Sequence, residues 1–454
     1  LQLPVISNLR ELSPASRRFL VFIAFNVVSW QCLIGPAMIL LARHIDMPPS
    51  WVGFLNSLTP FSTLLVVFTA PAIARLGAKR VMFTAWLTRN LVMCGVFLMP
   101  LAIQYGGQIA GWYVLMGSTL AFCLMRALGS GGWFPWLHEV VLEEERSIYF
   151  SGESALTQLI NILVMLAQGL LLMGDPGVGR FLLVYALGIS AGFISLIGMS
   201  RIPGGKGKAG VSSFREGLLP HRAALSDRRF MVFVITASLC FSALSWFGAA
   251  YVLYLRDALH LQPQNVMILS AAGSFGILLT IRFWGRFADH SGSGRAMSKA
   301  LIGHAMGALV FLGLYPGAPW TIYALAPMII VMSIFGAAFW IGAHRAMLNY
   351  VEEAHRVGYT NLWTIGTALT LGTTPILAGL LIDHFGMWGF RVCFVIAGVM
   401  GLGCAMACLK VVQDGRPIDF SMKWLLDPAL PVRTLVRIAW ITVGLHESNQ
   451  EDRV

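Results

Sequence analysis

Twelve stretches of roughly twenty apolar residues, separated by short polar turns, restrict this chain to a fold whose main solvent is lipid. A helix rises 1.5 Å per residue, so about 20 apolar residues cross a hydrocarbon core about 30 Å thick. The qualifying runs are 19–42, 52–74, 81–103, 110–135, 153–173 and 181–200, then 230–255, 264–285, 297–316, 319–343, 361–382 and 388–411. Only 12% of the residues are charged, half the share of about 25% usual in soluble domains. The expected fold class is all-α, with twelve transmembrane helices in two pseudo-symmetric six-helix bundles. The first bundle is expected over 19–200 and the second, of equal length, over 230–411. Residues 1–18 and 412–454 are read as tails and 201–229, rich in Gly, Ser, Lys and Arg, as a linker.

Charge placement gives this layout an orientation. The formal net charge is +11, and all but six of the 32 Lys and Arg fall in the two tails, in the linker or in every second loop. Arg43, Arg180, Arg256 and Arg391 lie in the alternate loops, while Arg89 and Arg126 lie inside apolar runs. The positive-inside rule then puts both termini in the cytoplasm. The basic balance reads as topology and contact with anionic lipid, and nucleic-acid binding is excluded as a role. The first run continues to about Ala42, longer than a signal-peptide core, so it is expected to stay as an anchor. In the tail, 432–445 is too short to span and suits either a helix lying on the membrane surface or a disordered tail.

A duplication is visible residue by residue. Arg146-Ser-Ile-Tyr149 and Arg356-Val-Gly-Tyr359 open the fifth and eleventh runs, which end in Gly169-Leu-Leu and Gly379-Leu-Leu. Both pairs, and Glu143 with Glu353, share one offset. Two equal halves that each cannot bury a face alone are the layout of a duplicated transporter.

The most informative polar segment is Gly285-Arg-Phe-Ala-Asp289-His-Ser-Gly292-Ser-Gly-Arg295, between the eighth and ninth runs. Its place in the first half is taken by Ala70-Pro-Ala-Ile-Ala74-Arg75-Leu-Gly77-Ala-Lys79-Arg80. With this loop in place the chain, over about residues 15–411, resembles the major facilitator superfamily of secondary transporters. That family carries Gly-x-x-x-Asp-(Arg/Lys)-x-Gly-x-(Arg/Lys)-(Arg/Lys) between helices two and three of each half. Gly285, Asp289, Gly292 and Arg295 match it. The first-half loop keeps Arg75 and Arg80 but has Ala70 and Ala74 where Gly and Asp are usual. The resemblance implies a gating role for these loops, with Asp289 as the surviving acidic latch. Leu124-Met-Arg126-Ala-Leu-Gly129-Ser-Gly131 is similar to the family's arginine-bearing helix-four element, and Thr374-Pro375-Ile-Leu-Ala-Gly379 to its Gly-Pro element in helix eleven. The fifth run lacks the Gly-Pro pair associated with antiporters. Trp133-Phe-Pro-Trp136 and the acidic segment after it resemble uncharacterised bacterial members, so the bacterial cytoplasmic membrane is the expected location.

In that family helices one, four, seven and ten line the central cavity, which nominates solute-contacting residues. They are Asn26, Trp30 and Gln31 on the first run, Arg126 on the fourth, Ser242 and Trp246 on the seventh, and Ser333 and Trp340 on the tenth. Ser238, Ser242, Ser245 and Trp246 share one helical face, as do Ser333, Trp340 and His344. The same serines would also serve as packing contacts between helices. Charges within spans are costly and are functional candidates by default. Arg126 is read as a solute- or proton-linked charge and Arg89 as a structural one. Glu153 and His344 are the coupling candidates, Glu153 also being the acid nearest to Arg126 in sequence.

The expected activity is alternating-access transport of a small organic solute, with proton coupling left open. Few acids beside arginine and tryptophan suit a neutral, amphiphilic or anionic solute better than a polycation. A lipid or lysolipid flippase on the same fold and a non-transporting membrane receptor are the alternatives. An enzyme is not expected: His138-Glu139 begins a zinc-protease pattern, but its second His would fall at Leu142. The seven cysteines all lie in apolar runs without metal-ligand spacing, so no metal and no cofactor are called for. Lipids, the solute and protons are the expected partners of a monomer.

Overall fold

Among the described residues of the computed structural model, eleven helices are long and apolar enough to cross a membrane, and one of them counts twice. The stretch Ala78–Ser130 is interrupted at Gly107, whose φ of 70° and ψ of −174° are not helical. This is backbone that glycine adopts without penalty. On either side of it Gly95 meets Ser118, and Gly129 meets Ala85 and Trp86. Those pairs are centred on Gly107, so the two arms run antiparallel and the chain makes twelve spans. The protein is an integral, multi-pass, all-helical membrane protein.

The structure describes residues 12–206, 219–315, 318–351 and 356–414. Its spans are α1 (Pro14–His44), α2 (Pro49–Phe68), α3 (78–106), α4 (108–130), α5 (Arg146–Leu171) and α6 (Val178–Ser200). The second six are α7 (Arg228–Ala258), α8 (Pro263–Ser291), α9 (Ser293–Gly313), α10 (Pro319–Tyr350), α11 (Arg356–Phe385) and α12 (Met387–Val411). Residues 1–11, the acid at Glu353, the middle of the linker and the tail segment 432–445 lie outside the described residues.

Several helices outrun their apolar cores. Backbone groups pair within the helix itself, so a helix can continue past the hydrocarbon without cost to its ladder. Thus α5 begins at Arg146, which sets Glu153 about two turns inside the helix. Likewise part of the expected linker is helical, Leu219–Ser226, and α7 starts directly after Asp227. The Asp227 carboxylate accepts from the amides of Arg229 and Phe230 at 2.9 and 3.0 Å, an N-cap. Pro36 breaks α1 after Leu33, because it lacks the amide the ladder needs.

One face of the molecule carries the start of α1 and the end of α12, and is called here the terminal face; the other is the distal face. On the terminal face the Ser13 amide and Ser16 hydroxyl donate to Glu145 at 3.0 and 2.9 Å, fastening α1 to the approach to α5. Nearby, Trp133 and Trp136 pack edge-on against Phe19, and the Trp136 indole donates to the Pro203 carbonyl at 2.8 Å. Glu139 accepts from the Gly205 amide. The aromatic and acidic residues after α4 therefore tie down the end of the first six helices.

The first and second six helices meet at two seams, α2 with α11 and α5 with α8. Small residues permit both. A Cβ on Gly53 would collide with the Pro375 carbonyl oxygen, and one on Gly379 with that of Pro49. At the other seam Gly169 faces Gln264 and Met267. Gly169 and Gly379 are the duplicated Gly-Leu-Leu positions, and Pro263 and Pro49 each begin the opposing helix. The repeat read in the sequence is thus a repeat of seam contacts.

Candidate functional site

Three helices of the first half assemble a layered cationic cluster. Arg89 on α3 is 1% exposed. Its guanidinium carbon lies 4.4 Å from the Trp86 ring centre and 5.1 Å from that of Phe122. One of its nitrogens donates to Asn26 Oδ1 on α1 at 2.7 Å, and the Trp86 indole donates to the same oxygen at 3.0 Å. Beyond Phe122 lies Trp30, with ring centres 6.3 Å apart, and Arg126 of α4 stacks on Trp30 at 4.3 Å. The order is Trp86, Arg89, Phe122, Trp30, Arg126.

Two positive charges are held here with aromatic faces in place of counter-ions. A cation over a ring gains about 0.5–2 kcal/mol, less than the several kcal/mol needed to bury an ion unpaired. Arg89 adds Asn26 to its two rings, although its Nε has no hydrogen-bond partner. Arg126 has one ring. Among the described residues neither arginine has a carboxylate within ion-pair distance. Glu153 does not pair with Arg126; its Oε2 is buried without a partner, close to the unpartnered Tyr149 hydroxyl.

A second feature is a cavity of about 480 Å³ on the second-half side, lined by Phe247, Tyr251, His304, Ser333 and Trp340 with Ile277, Ile281, Ile329 and Met332. Gln158 of α5 closes it from the first half. His304 stands edge-on to Phe247, ring centres 5.4 Å apart. Trp340 is 47% exposed and stacks on His344, whose Nδ1 lies 2.9 Å from the Trp340 carbonyl oxygen.

The structure therefore brings Trp30 to Arg126 and Ser333 to Trp340, and sends other nominated residues elsewhere. Asn26 serves Arg89. Ser242 shares a 2.8 Å hydrogen bond with Thr374, joining α7 to α11, and Trp246 lies in the packed core. Gln31 is buried, and its carbonyl accepts from Gln168. Phe247, Tyr251, Gln158 and His304 were not among the residues the sequence nominated. Their only signal was a place on α5, α7 or α9, with no motif.

At the terminal face the two motif loops have one backbone. Gly77 and Gly292 have φ 87° and 85° and ψ 145° and 154°. Each amide bonds back four residues, to Ile73 and Ala288, at 2.9 Å. Asp289 pairs with Arg345 of α10 at 3.0 Å, within its own half. The better-buried partner of Arg345 is Asp414, just past α12, which also accepts from the Ser293 amide and from Asn349. Arg345 and Asp414 had no sequence signature. Arg295 is half-buried, and Arg75 and Arg80 are exposed. A Cβ on Gly285 would meet open space.

The distal face holds an ion pair between the halves. Arg43 at the end of α1 donates to Asp257 in the last, wide turn of α7 at 3.0 Å. The Ser50 amide at the start of α2 donates to Asp383 of α11 at 2.9 Å. Three residues after Arg43 and Asp257 come Asp46 and His260, which among the described residues are the two non-glycine positions with positive φ, at 57° and 52°. Three further on come Pro49 and Pro263, at the starts of α2 and α8. Arg43 and Asp257 thus hold equivalent positions of the two halves, and they meet across the pseudo-two-fold axis.

Residues 233–440 match the family model of the Major Facilitator Superfamily. Solved structures share the fold at low identity. A nucleoside transporter, NupG, aligns with TM-score 0.66 and 15% identity over 88% of this chain and 99% of its own. A bacterial homologue of the iron transporter ferroportin aligns at 0.69 and 13% in its inward-facing state, over 88% and 98%. Its outward-facing state gives 0.64 and 14%, over 88% and 99%. A D-xylose–proton symporter gives 0.66 and 13%, over 88% and 98%. No curated protein matches the sequence.

Proposed function

We propose, for a chain with the Major Facilitator Superfamily fold throughout and that family's sequence signature over residues 233–440, the function of a secondary transporter. It carries a small organic solute across the bacterial cytoplasmic membrane by alternating access. The carrying observation is the symmetric pair of seams, α2 with α11 and α5 with α8, joined on the axis by Arg43 and Asp257. Such an arrangement lets the halves 19–200 and 230–411 rock about a central site.

The positive-inside distribution makes the terminal face cytoplasmic. The conformer held by Arg43–Asp257 and Ser50–Asp383 is then closed to the outside. The higher similarity to the inward-facing ferroportin homologue than to its outward-facing state supports this reading. Trp30, Arg126, Ser333 and Trp340 contact the solute. Asp289 and the loops carrying Arg75, Arg80, Gly292 and Arg295 work the cytoplasmic side, with Arg345 holding Asp289 inside its own half in this conformer. Glu153, with a buried unpartnered oxygen, is the proton carrier where coupling exists, ahead of the exposed His344.

Uptake into proteoliposomes, with and without a pH gradient, tests both parts. Accumulation that responds to the gradient and is lost in Glu153→Gln is expected. Accumulation that ignores both would remove proton coupling, and absence of flux for every solute that stabilises the protein would remove transport.

A further inference from the structure

The two features of the central region differ in chemistry from one half to the other. In the first half, α4 packs on α2 and α3, while α1 packs on α5 and α6. Trp30 and Arg126 reach each other across the space left between α1 and α4. Arg126 presents five guanidinium donors there, and among the described residues it has no acceptor and no carboxylate. Arg89, 1% exposed and with an unpartnered Nε, stands behind it in the same stack. In the second half the cavity is lined by Phe247, Tyr251, Trp340 and aliphatic side chains together with Gln158, His304 and Ser333, and holds no Asp, Glu, Lys or Arg.

A half-buried guanidinium with free donors and a second positive charge behind it is a site for an oxyanion. Its fork matches the two oxygens of a carboxylate or a phosphate. Trp30 holds the Arg126 guanidinium over its ring, an interaction that uses none of the N–H donors and leaves them for a ligand. Bringing an anion here completes a charge balance that the protein leaves open. The largely aromatic and aliphatic wall on the other side carries no carboxylate, Lys or Arg and accepts an apolar body, with Gln158 and Tyr251 offering neutral polar groups.

We propose that the solute is an organic anion: its carboxylate or phosphate docks on Arg126 against Trp30, and its apolar or aromatic body lies in the second-half cavity. This rests on the transporter reading for the word solute, and on the Arg126 geometry for the word anion. The two parts fail separately, because binding is measured without transport.

Purified full-length protein in detergent is titrated with benzoate, phenyl phosphate and benzyl alcohol, and binding is followed by thermal stabilisation and tryptophan quenching. One or both anions are expected to bind at least tenfold more tightly than the alcohol, and the preferred one identifies the anionic group. Arg126→Gln is expected to abolish that preference, with Arg126→Lys recovering part of it. Trp340→Ala is expected to weaken anion and alcohol alike, which a general loss of folding would not mimic if the melting temperature without ligand is kept. Equal binding of alcohol and anions, no binding of either anion, or an unchanged preference in Arg126→Gln overturns the proposal. Anion binding that depends on Arg126, without uptake into proteoliposomes, leaves the anion site standing and removes the transporter reading.

Discussion

Asn26 shows how far a polar residue in a membrane helix can be read before its neighbours are known. Its place on α1 nominated it as a solute contact, whereas its Oδ1 accepts from both Arg89 and the Trp86 indole. Ser242 and Thr374 make the same point, since a serine on a helical face is equally a cavity lining or a rivet. Arg89 and Arg126 were legible as unusual because charge in a span is expensive whatever its surroundings. Their partners were not, because those depend on how α1, α3 and α4 face one another. Asn26→Ala leaves a buried cation and an indole without their acceptor, at a cost of about 1.5–3 kcal/mol. A clear fall in the melting temperature of purified protein is expected. Asn26→Asp, which keeps the acceptor and adds a counter-charge, should hold it. An unchanged melting temperature in the alanine variant would show that Asn26 does not support Arg89.

At the scale of elements, length and hydropathy made all twelve helices legible, including the pair that runs on through Gly107. The duplicated Gly-Leu-Leu was legible as a repeat. Its physical meaning required the seams, where Gly53 and Gly379 let α2 and α11 touch backbone to backbone. Neighbouring backbones do not yield as a flexible side chain would. Gly53→Leu and Gly379→Leu are expected to wedge this seam and shift the population toward a conformer open at the distal face. Thiol labelling of Ser50→Cys in each background measures that shift. Gly285→Ala, placed in open space, should label as the parent does. Equal labelling of all three variants would rule out a seam that moves. The motif glycines are another matter: φ values of 87° and 85° at Gly77 and Gly292 explain why both halves keep glycine there although only one keeps the acid.

At the scale of the whole molecule, the Arg43–Asp257 pair joins equivalent positions of the two halves. Each side chain is about one-fifth exposed, 23% and 21%, so the pair contributes on the order of 1 kcal/mol to stability. That is small for a fold and large for a balance between two conformers. Asp257→Arg is expected to open the distal face by placing two guanidinium groups together, raising Ser50→Cys labelling several-fold. The exchange Arg43→Asp with Asp257→Arg should restore the parent level. Failure of the double exchange to restore it would mean that the two charges act through other neighbours. The pairing was invisible in the sequence, where Arg43 lies in a loop between runs and Asp257 just past the seventh run, and only the shared backbone turn after each reveals them as equivalents.

That equivalence has an evolutionary and assembly consequence. A residue on a two-fold axis meets its own counterpart, so two copies of the first half would set Arg43 against Arg43, and two copies of the second would set Asp257 against Asp257. One half with the other is the combination that neutralises itself. A single axial position therefore lets each half distinguish its complement from its twin, and once it had diverged to opposite charges the ancestral homodimer was no longer a favourable way to build this protein.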